Sequence, residues 1–133
     1  MSSPQLPSSS GFRAALEHLV SQPEVVGALV AARDGLPVAI HMESDEAGES
    51  WAAMTAVLGR LAGQLLEAAE GEAMAAAVFN AANHQFVVAP VRIGFLLAVA
   101  KPSAQGTALY ERTKAAAQEV DAVAAALTGS GGG

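Results

Sequence analysis

The side chains that could support chemistry in this sequence are few and far apart. His18, His41 and His84 are widely separated, and no two have the His-x-x-x-His spacing that puts two metal ligands on one helix face. The chain contains no cysteine, which excludes disulfides, thiol catalysis and thiolate metal sites. We therefore predict no metal site and treat the three histidines as ordinary surface or core residues.

A cluster of acidic residues lies between Glu43 and Glu49. It precedes and opens a predicted helix, where the helix dipole favours negative charge, so the cluster needs no catalytic explanation. The sequence has neither a glycine-rich phosphate-binding loop nor a Gly-x-Ser-x-Gly nucleophile turn. We therefore expect a protein that is not an enzyme and that has no catalytic residue and no bound cofactor.

The composition excludes some partners and favours others. Seven Lys and Arg residues against thirteen Asp and Glu give a net charge of −6, and the basic residues are scattered singly. Nucleic acids and anionic membranes need clustered cations, so neither is an expected partner. Charged residues make up only 15% of the chain and hydrophobic residues 52%. A monomer with so few charges would cover its surface poorly, which favours burial against a second subunit or a partner protein.

The two ends of the chain differ in composition from its middle. Residues 1–10 are rich in Ser and Pro and residues 128–133 are rich in Gly, which predicts flexible tails around a single domain at residues 11–127. The first residues lack the charged and apolar regions of a secretion signal. No apolar run reaches the roughly 18 residues that a membrane span needs. We therefore expect a soluble, cytoplasmic protein.

Hydrophobic periodicity divides the domain into eight elements in the order α-β-β-α-β-β-β-α. The short connections between strands favour antiparallel neighbours, so the pattern predicts an α+β fold with one five-stranded antiparallel sheet. The predicted elements are a helix at Gly11–Ser21, strands at Val25–Ala32 and Leu36–Met42, a helix at Glu46–Glu70, strands at Glu72–Ala81, Gln85–Val91 and Gly94–Lys101, and a helix at Ala104–Leu127.

The first two strands are predicted to form a hairpin. The dipeptide Asp34-Gly35 is typical of a two-residue turn in which both residues take positive φ. The first strand is apolar almost throughout, as in the interior of a sheet. The second strand alternates and contains Pro37, which cannot donate a hydrogen bond to a neighbour. We therefore place the first strand inside the sheet and the second at its edge.

At 100° per residue, the long helix has three faces. We predict that its large apolar stripe lies on the sheet. Small residues let another backbone approach closely, so we predict that the small stripe contacts the same helix of a second subunit, with packing on the protein's own sheet as the alternative. The large stripe is Ala47, Trp51, Met54, Leu58, Leu61 and Leu65; the small stripe is Ala52, Ala56, Gly59 and Gly63, with Leu66 beside it; a polar stripe is Glu49, Arg60, Gln64 and Glu67.

The third strand supports a homodimer. It carries no charge from Ala73 to Ala81, and such a strand would be prone to aggregation at an exposed sheet edge. Pairing with the same strand of a second subunit would remove that edge. The predicted dimer interface therefore combines Ala52, Gly59 and Gly63 of the helix with Ala76, Val78 and Asn80 of the strand.

Several segments resemble the roadblock / dynein light chain domain family. Val26–Val30 and Arg33–Val38 are similar to the family's first hairpin, and Val88–Val91 and Leu96–Val99 are similar to its last two strands. The resemblance covers about residues 12–127 and rests on positions that define the fold. It implies a profilin-like fold with helices on both faces of the sheet, and a homodimer with a continuous sheet and paired long helices.

The resemblance also implies a function. Members of this family bind and regulate small Ras-like GTPases, and some bacterial members activate GTP hydrolysis, so we expect a homodimeric regulator of such a GTPase. A scaffold subunit without effect on GTP turnover and a small-molecule sensor domain are the alternatives. A surface poor in long charged side chains is cheap to desolvate, so we place the partner on the long helix. The predicted partner-binding residues are Glu49, Ala53, Ala56, Arg60 and Glu67.

Overall fold

The computed structural model describes residues 7–71 and 73–132 and has three helices and one five-stranded antiparallel sheet. The elements follow the predicted order, which confirms the α+β fold class. They are α1 (Pro7–Val20), β1 (Val25–Ala32), β2 (Pro37–His41), α2 (Asp45–Glu70), β3 (Ala77–Asn80), β4 (Gln85–Val91), β5 (Gly94–Ala100) and α3 (Gly106–Gly132).

Some boundaries differ from the prediction. Helix α1 begins at Pro7 and α3 continues to Gly132, so helix extends into both segments that the composition assigned to tails. Residues 1–6 and 133 lie outside the described residues, and the flexibility of the tails stays a prediction. Strand β3 is much shorter than predicted, because the chain before it buries Met74 in the core instead of pairing with β4.

The sheet order is β2-β1-β5-β4-β3, which puts β2 and β3 at its two edges. The placement of β1 inside the sheet and of β2, with Pro37, at an edge is therefore confirmed. The turn between them differs from the prediction, because only Gly35 takes positive φ, at 94°. The Asp34 carboxylate instead accepts a hydrogen bond from the Leu36 N–H at 3.1 Å. The Ala32 N–H donates to the Leu36 carbonyl, so the loop consists of the three residues between Ala32 and Leu36.

Helices cover both faces of the sheet, as the resemblance implied. Helices α1 and α3 pack together on one face, and α2 packs alone on the other. Neighbouring residues of a strand therefore serve different layers: Val30 is buried under α1 and α3, whereas Leu29 is buried under α2. None of the helices in the described residues is long and apolar enough to cross a bilayer.

Both ends of α2 are capped by the residues that surround it. The Ser44 hydroxyl accepts a hydrogen bond from the Ala47 N–H at 3.1 Å, which satisfies one of the free donors of the first turn. At the other end Gly71 takes a left-handed conformation, with φ 69°, and donates its N–H to the Glu67 carbonyl at 2.9 Å. These caps fix where the helix begins and ends, and its packing on the sheet fixes its rotation.

The small stripe of α2 packs on the protein's own sheet, so the predicted assignment of helix faces is wrong. Ala52 is 0% and Ala56 is 1% exposed, and both belong to the buried cluster under α2. A Cβ atom at Gly59 would lie 2.5 Å from the ring of Phe95. The sheet contributes large side chains to this contact, such as Phe95 and Leu97, so the helix can approach closely only with its smallest residues.

The large apolar stripe consequently faces outward. Its members Met54, Leu58, Leu61 and Leu65 have much of their surface exposed, whereas Ala47 and Trp51 are partly buried. Together with the neighbouring Val57, the four exposed side chains form what we call the α2 ridge. The α2 ridge consists of Met54 (58% exposed), Val57 (44%), Leu58 (37%), Leu61 (57%) and Leu65 (70%).

Candidate protein–protein interfaces

The described residues bring together no constellation for metal binding. They contain no group of three His, Asp or Glu side chains close enough to hold an ion. His18 instead faces Glu119 of α3, with 3.0 Å between Nδ1 and Oε2, and this pair lies on the surface. His84 lies in the turn before β4, with its ring 6.0 Å from that of Phe86.

The α2 ridge borders a cavity at the side of the sheet that ends in β3. This cavity has a volume of about 220 Å³, and its lining is almost entirely apolar. Met54 and Leu58 of the ridge form one wall, and Phe79 of β3 and Phe86 of β4 form the opposite wall. The Trp51 and Phe86 rings, which both line the cavity, contact each other with 5.2 Å between their centroids. A surface that is both apolar and partly concave is suited to receive apolar side chains of another chain.

Strand β3 lies open beside this cavity. It pairs with β4 on one side only, so its other row of backbone donors and acceptors is unpaired with any described strand. Val78 is 42% exposed and Asn80 is also exposed, whereas Ala76 is partly buried against the core. Because Phe79 joins β3 to the cavity wall, the open edge and the α2 ridge lie on the same side of the molecule.

These observations change the predicted dimer interface. Ala52 and Gly59 are covered by the sheet of the same chain, so neither can contact a second subunit. Gly63 is only partly buried, and a Cβ atom there would meet nothing within 4 Å. The large apolar side chains that the helix exposes for contact are those of the α2 ridge. The sequence alone does not mark them as interface residues, because apolar residues spaced along one helix face predict a buried face without showing what covers it.

The predicted partner-binding residues lie on the side of α2 that faces the β1–β2 turn. Glu49, Ala53, Arg60 and Glu67 are exposed, but Ala56 is not available because the sheet covers it. Arg60 has a structural contact as well, since its Nη1 atom donates to a main-chain carbonyl of the turn at 2.5 Å. The polar stripe and the α2 ridge lie on neighbouring exposed faces of α2, so the two surfaces can contact different partners.

Comparison with known proteins agrees with this fold. A protein-family model, the Roadblock/LC7 domain, matches residues 12–101, and the chain belongs to that family. The resemblance inferred from the sequence is thereby confirmed. No protein with a curated description matches the chain by sequence.

Three solved structures show how widely the fold is shared. A Roadblock/LC7 domain from Streptomyces avermitilis has a TM-score of 0.74 at 19% identity over 86% of this chain and 96% of that chain. MglB from Myxococcus xanthus has a TM-score of 0.81 at 13% identity over 96% of both chains. A profilin from Schizosaccharomyces pombe has a TM-score of 0.60 at 10% identity over 86% and 97%. At such low identities the likeness establishes the fold, including the profilin-like architecture.

Proposed function

We propose that this protein is a cytoplasmic, non-catalytic homodimer that binds a small Ras-like GTPase and changes its nucleotide state. The proposal rests on membership of the Roadblock/LC7 family, whose members the resemblance associates with such GTPases. The observation that carries it is the position of the α2 ridge and the open β3 edge on one side of the molecule. A single contact with a second copy covers both.

The dimer contact follows from the physical requirements of these two surfaces. An unpaired edge strand can be satisfied by the same strand of a second copy, which continues the sheet across a two-fold axis. The same axis brings the two α2 ridges together, because they lie beside the edge strands. Ridge side chains then enter the partner's cavity next to Trp51, which gives the contact an apolar core. Of the predicted strand residues, Val78 and Asn80 lie at this edge.

The GTPase is proposed to dock on the polar stripe of α2 through Glu49, Ala53, Arg60 and Glu67. These residues are exposed and lie on the side of the helix that the dimer contact leaves open. The mechanism is contact with the switch segments of the GTPase, which favours one nucleotide state or lowers the barrier to hydrolysis. The regulator needs no phosphate-binding loop of its own for this role.

The dimer is tested by placing a charge on the α2 ridge. Leu65→Glu and Leu61→Glu are expected to convert the protein to a monomer in light scattering, because each buries a carboxylate in the proposed contact. Both leucines are more than half exposed in the single chain, so the melting temperature of the monomer should change little. Gln64→Glu is the matched control, since it adds the same charge at an exposed position beside the ridge. A monomeric wild-type protein, or a dimer that survives both ridge variants, contradicts the proposal.

The regulatory role is tested by GTP turnover. The rate of GTP hydrolysis and the rate of nucleotide release are measured for a small Ras-like GTPase from the source cell, with and without the protein. A change in either rate is expected. Binding without a change in either rate would favour the scaffold function. Absence of binding to any such GTPase would contradict both.

A further inference from the structure

An open cavity of about 690 Å³ lies on the face of the sheet opposite α2, where residues of β3, β4 and the first turns of α3 line it. Side chains alternate between the two faces along a strand. Val78 of β3 therefore lines this cavity, whereas the next residue, Phe79, lines the cavity beside the α2 ridge. This space, which we call the α3 cavity, is thus separated from the α2 ridge and from the polar stripe by the sheet.

The side chain of Gln85 brings an unused acceptor to the α3 cavity. It is only 7% exposed, and its Nε2 atom donates to the carbonyls of Lys101, Pro102 and Ala104 at 3.4, 3.0 and 2.6 Å. Because a carbonyl can only accept, these contacts fix which end of the amide is nitrogen and which is oxygen. The Oε1 atom accepts no hydrogen bond from the residues that the structure describes, and it lies 3.7 Å from the position of a Cβ atom at Gly106, which also lines the cavity. An acceptor so placed calls for a donor from outside the chain.

The first turn of α3 brings free donors to the same cavity. The backbone N–H groups of Gly106 and Thr107, which both line it, donate to no acceptor within the described part of the chain. The first bond of the helix runs from the Leu109 N–H to the Gln105 carbonyl, at 2.9 Å. The helix dipole adds partial positive charge at this end. The free amides therefore favour a carboxylate as their acceptor.

A negative charge lies about one turn further along α3. Glu111 is exposed and is the one charged residue among the described residues that line the α3 cavity. Its carboxylate forms no ion pair with any residue that the structure describes, so it can accept from a cation. Val78, which is 42% exposed, and the half-buried ring of Tyr110 add an apolar wall. The cavity therefore combines donors for an anion, acceptors for a cation and an apolar surface.

We propose that the α3 cavity binds a free α-amino acid with an apolar side chain. The ligand's carboxylate accepts from the amides of Gly106 and Thr107, and its side chain packs on Val78. Its ammonium group donates to Gln85 Oε1 and to the Glu111 carboxylate. An anion alone would face Glu111 and leave Gln85 without a donor, whereas a cation alone would meet the positive end of α3. The proposal goes beyond the regulatory function, since it gives the protein a small-molecule site that requires neither the dimer nor a GTPase.

The test is an NMR titration of the isotope-labelled, full-length protein with L-leucine. The signals of the Gly106 and Thr107 backbone amides and of the Gln85 side-chain amide should shift and reach saturation. Isocaproate has the same side chain but lacks the ammonium group, and isoamylamine lacks the carboxylate. Each should bind about tenfold more weakly or worse, because one set of charge-assisted hydrogen bonds is lost. Equal binding of either probe, or no saturable shift of these signals with millimolar L-leucine, would overturn the proposal.

Two pairs of variants test the two ends of the ligand separately. Glu111→Gln should weaken L-leucine binding about threefold or more, a modest factor because this carboxylate is exposed to solvent. Glu17→Gln is the matched control, since it removes the same charge at an exposed position of α1 away from the cavity, and it should leave the affinity unchanged.

Gly106→Pro removes one amide donor at the first position of α3, where proline is tolerated, and should weaken binding about fivefold or more. Gly106→Ala keeps the N–H, and its Cβ atom lies at an ordinary contact distance from Gln85 Oε1, so it should bind L-leucine more tightly than Gly106→Pro. Equal affinity of these two variants, or equal loss in Glu111→Gln and Glu17→Gln, would overturn the proposal.

Discussion

Two glycines of α2 give a direct measure of how tightly this helix packs on the sheet. Gly59 and Gly63 lie one turn apart on the same helix, but they differ in their surroundings. A Cβ atom at Gly59 would lie 2.5 Å from Phe95 ring carbons, whereas a Cβ atom at Gly63 would meet nothing within 4 Å. The substitutions Gly59→Ala and Gly63→Ala therefore add the same methyl group to a filled site and to an open site.

The difference in unfolding free energy between these two variants measures the cost of crowding at Gly59 alone. Replacing glycine by alanine inside a helix stabilises it by about 1 kcal/mol, and both variants gain this. Only Gly59→Ala must also displace Phe95 or the helix, and overpacking of a core costs about 1–3 kcal/mol. Phe95 is 8% exposed and lies in β5 between Ala31 of β1 and Pro90 of β4, so it has little room to move. The unfolding free energy of the Gly63→Ala variant should therefore be about 1–3 kcal/mol higher than that of the Gly59→Ala variant.

Chemical and thermal denaturation of both variants, at one fixed protein concentration, measures this difference. For a domain of this size each kcal/mol corresponds to roughly 3–5 °C in melting temperature. The fixed concentration removes any contribution from self-association, which makes apparent stability depend on concentration. Equal stabilisation by the two substitutions would refute the packing of α2 through its small stripe. Loss of the dimer without loss of stability in Gly59→Ala would support the original assignment of helix faces.

Three further predictions follow from single contacts. Gln85→Met should lower the unfolding free energy by about 1–3 kcal/mol, because the Gln85 side-chain amide donates to three carbonyls of the loop before α3. Hydrogen exchange of the backbone amides in that loop should become faster, and an unchanged exchange rate would contradict this. Arg60→Glu should lower both GTPase affinity and thermal stability, since Arg60 donates a hydrogen bond to the β1–β2 turn. Glu49→Lys should lower GTPase affinity alone, and a loss of stability in both variants would contradict a structural contact specific to Arg60. Repurified protein should neither bind nor hydrolyse GTP in filter-binding and phosphate-release assays, because the sequence has no phosphate-binding loop, and turnover proportional to protein would contradict the regulatory role.

The features predicted correctly from the sequence are local ones. The eight elements and their order, the edge position of β2 and the glycine that ends α2 all depend on residues close together in the chain. Pro37 illustrates the reason: a residue without an N–H donor is excluded from the middle of a sheet whatever the rest of the chain does. The backbone conformation of the turn is less predictable from the sequence, because an aspartate can take either positive or negative φ. Here the Asp34 carboxylate accepts a hydrogen bond from the Leu36 N–H, and φ at Asp34 is not positive.

The rotation of α2, and with it the position of the candidate interfaces, depends on packing between distant parts of the chain. The helix has two apolar stripes, and the sequence cannot tell which one is buried, because the cost of burial depends on what lies opposite. Here the sheet presents large side chains such as Phe95, so the stripe with Ala52 and Gly59 fits against it and the stripe with Leu61 and Leu65 remains outside. Size complementarity between elements far apart in the chain is a property of the packed core. Because of it, the large residues of this helix, and not the small ones, are available for the proposed dimer contact.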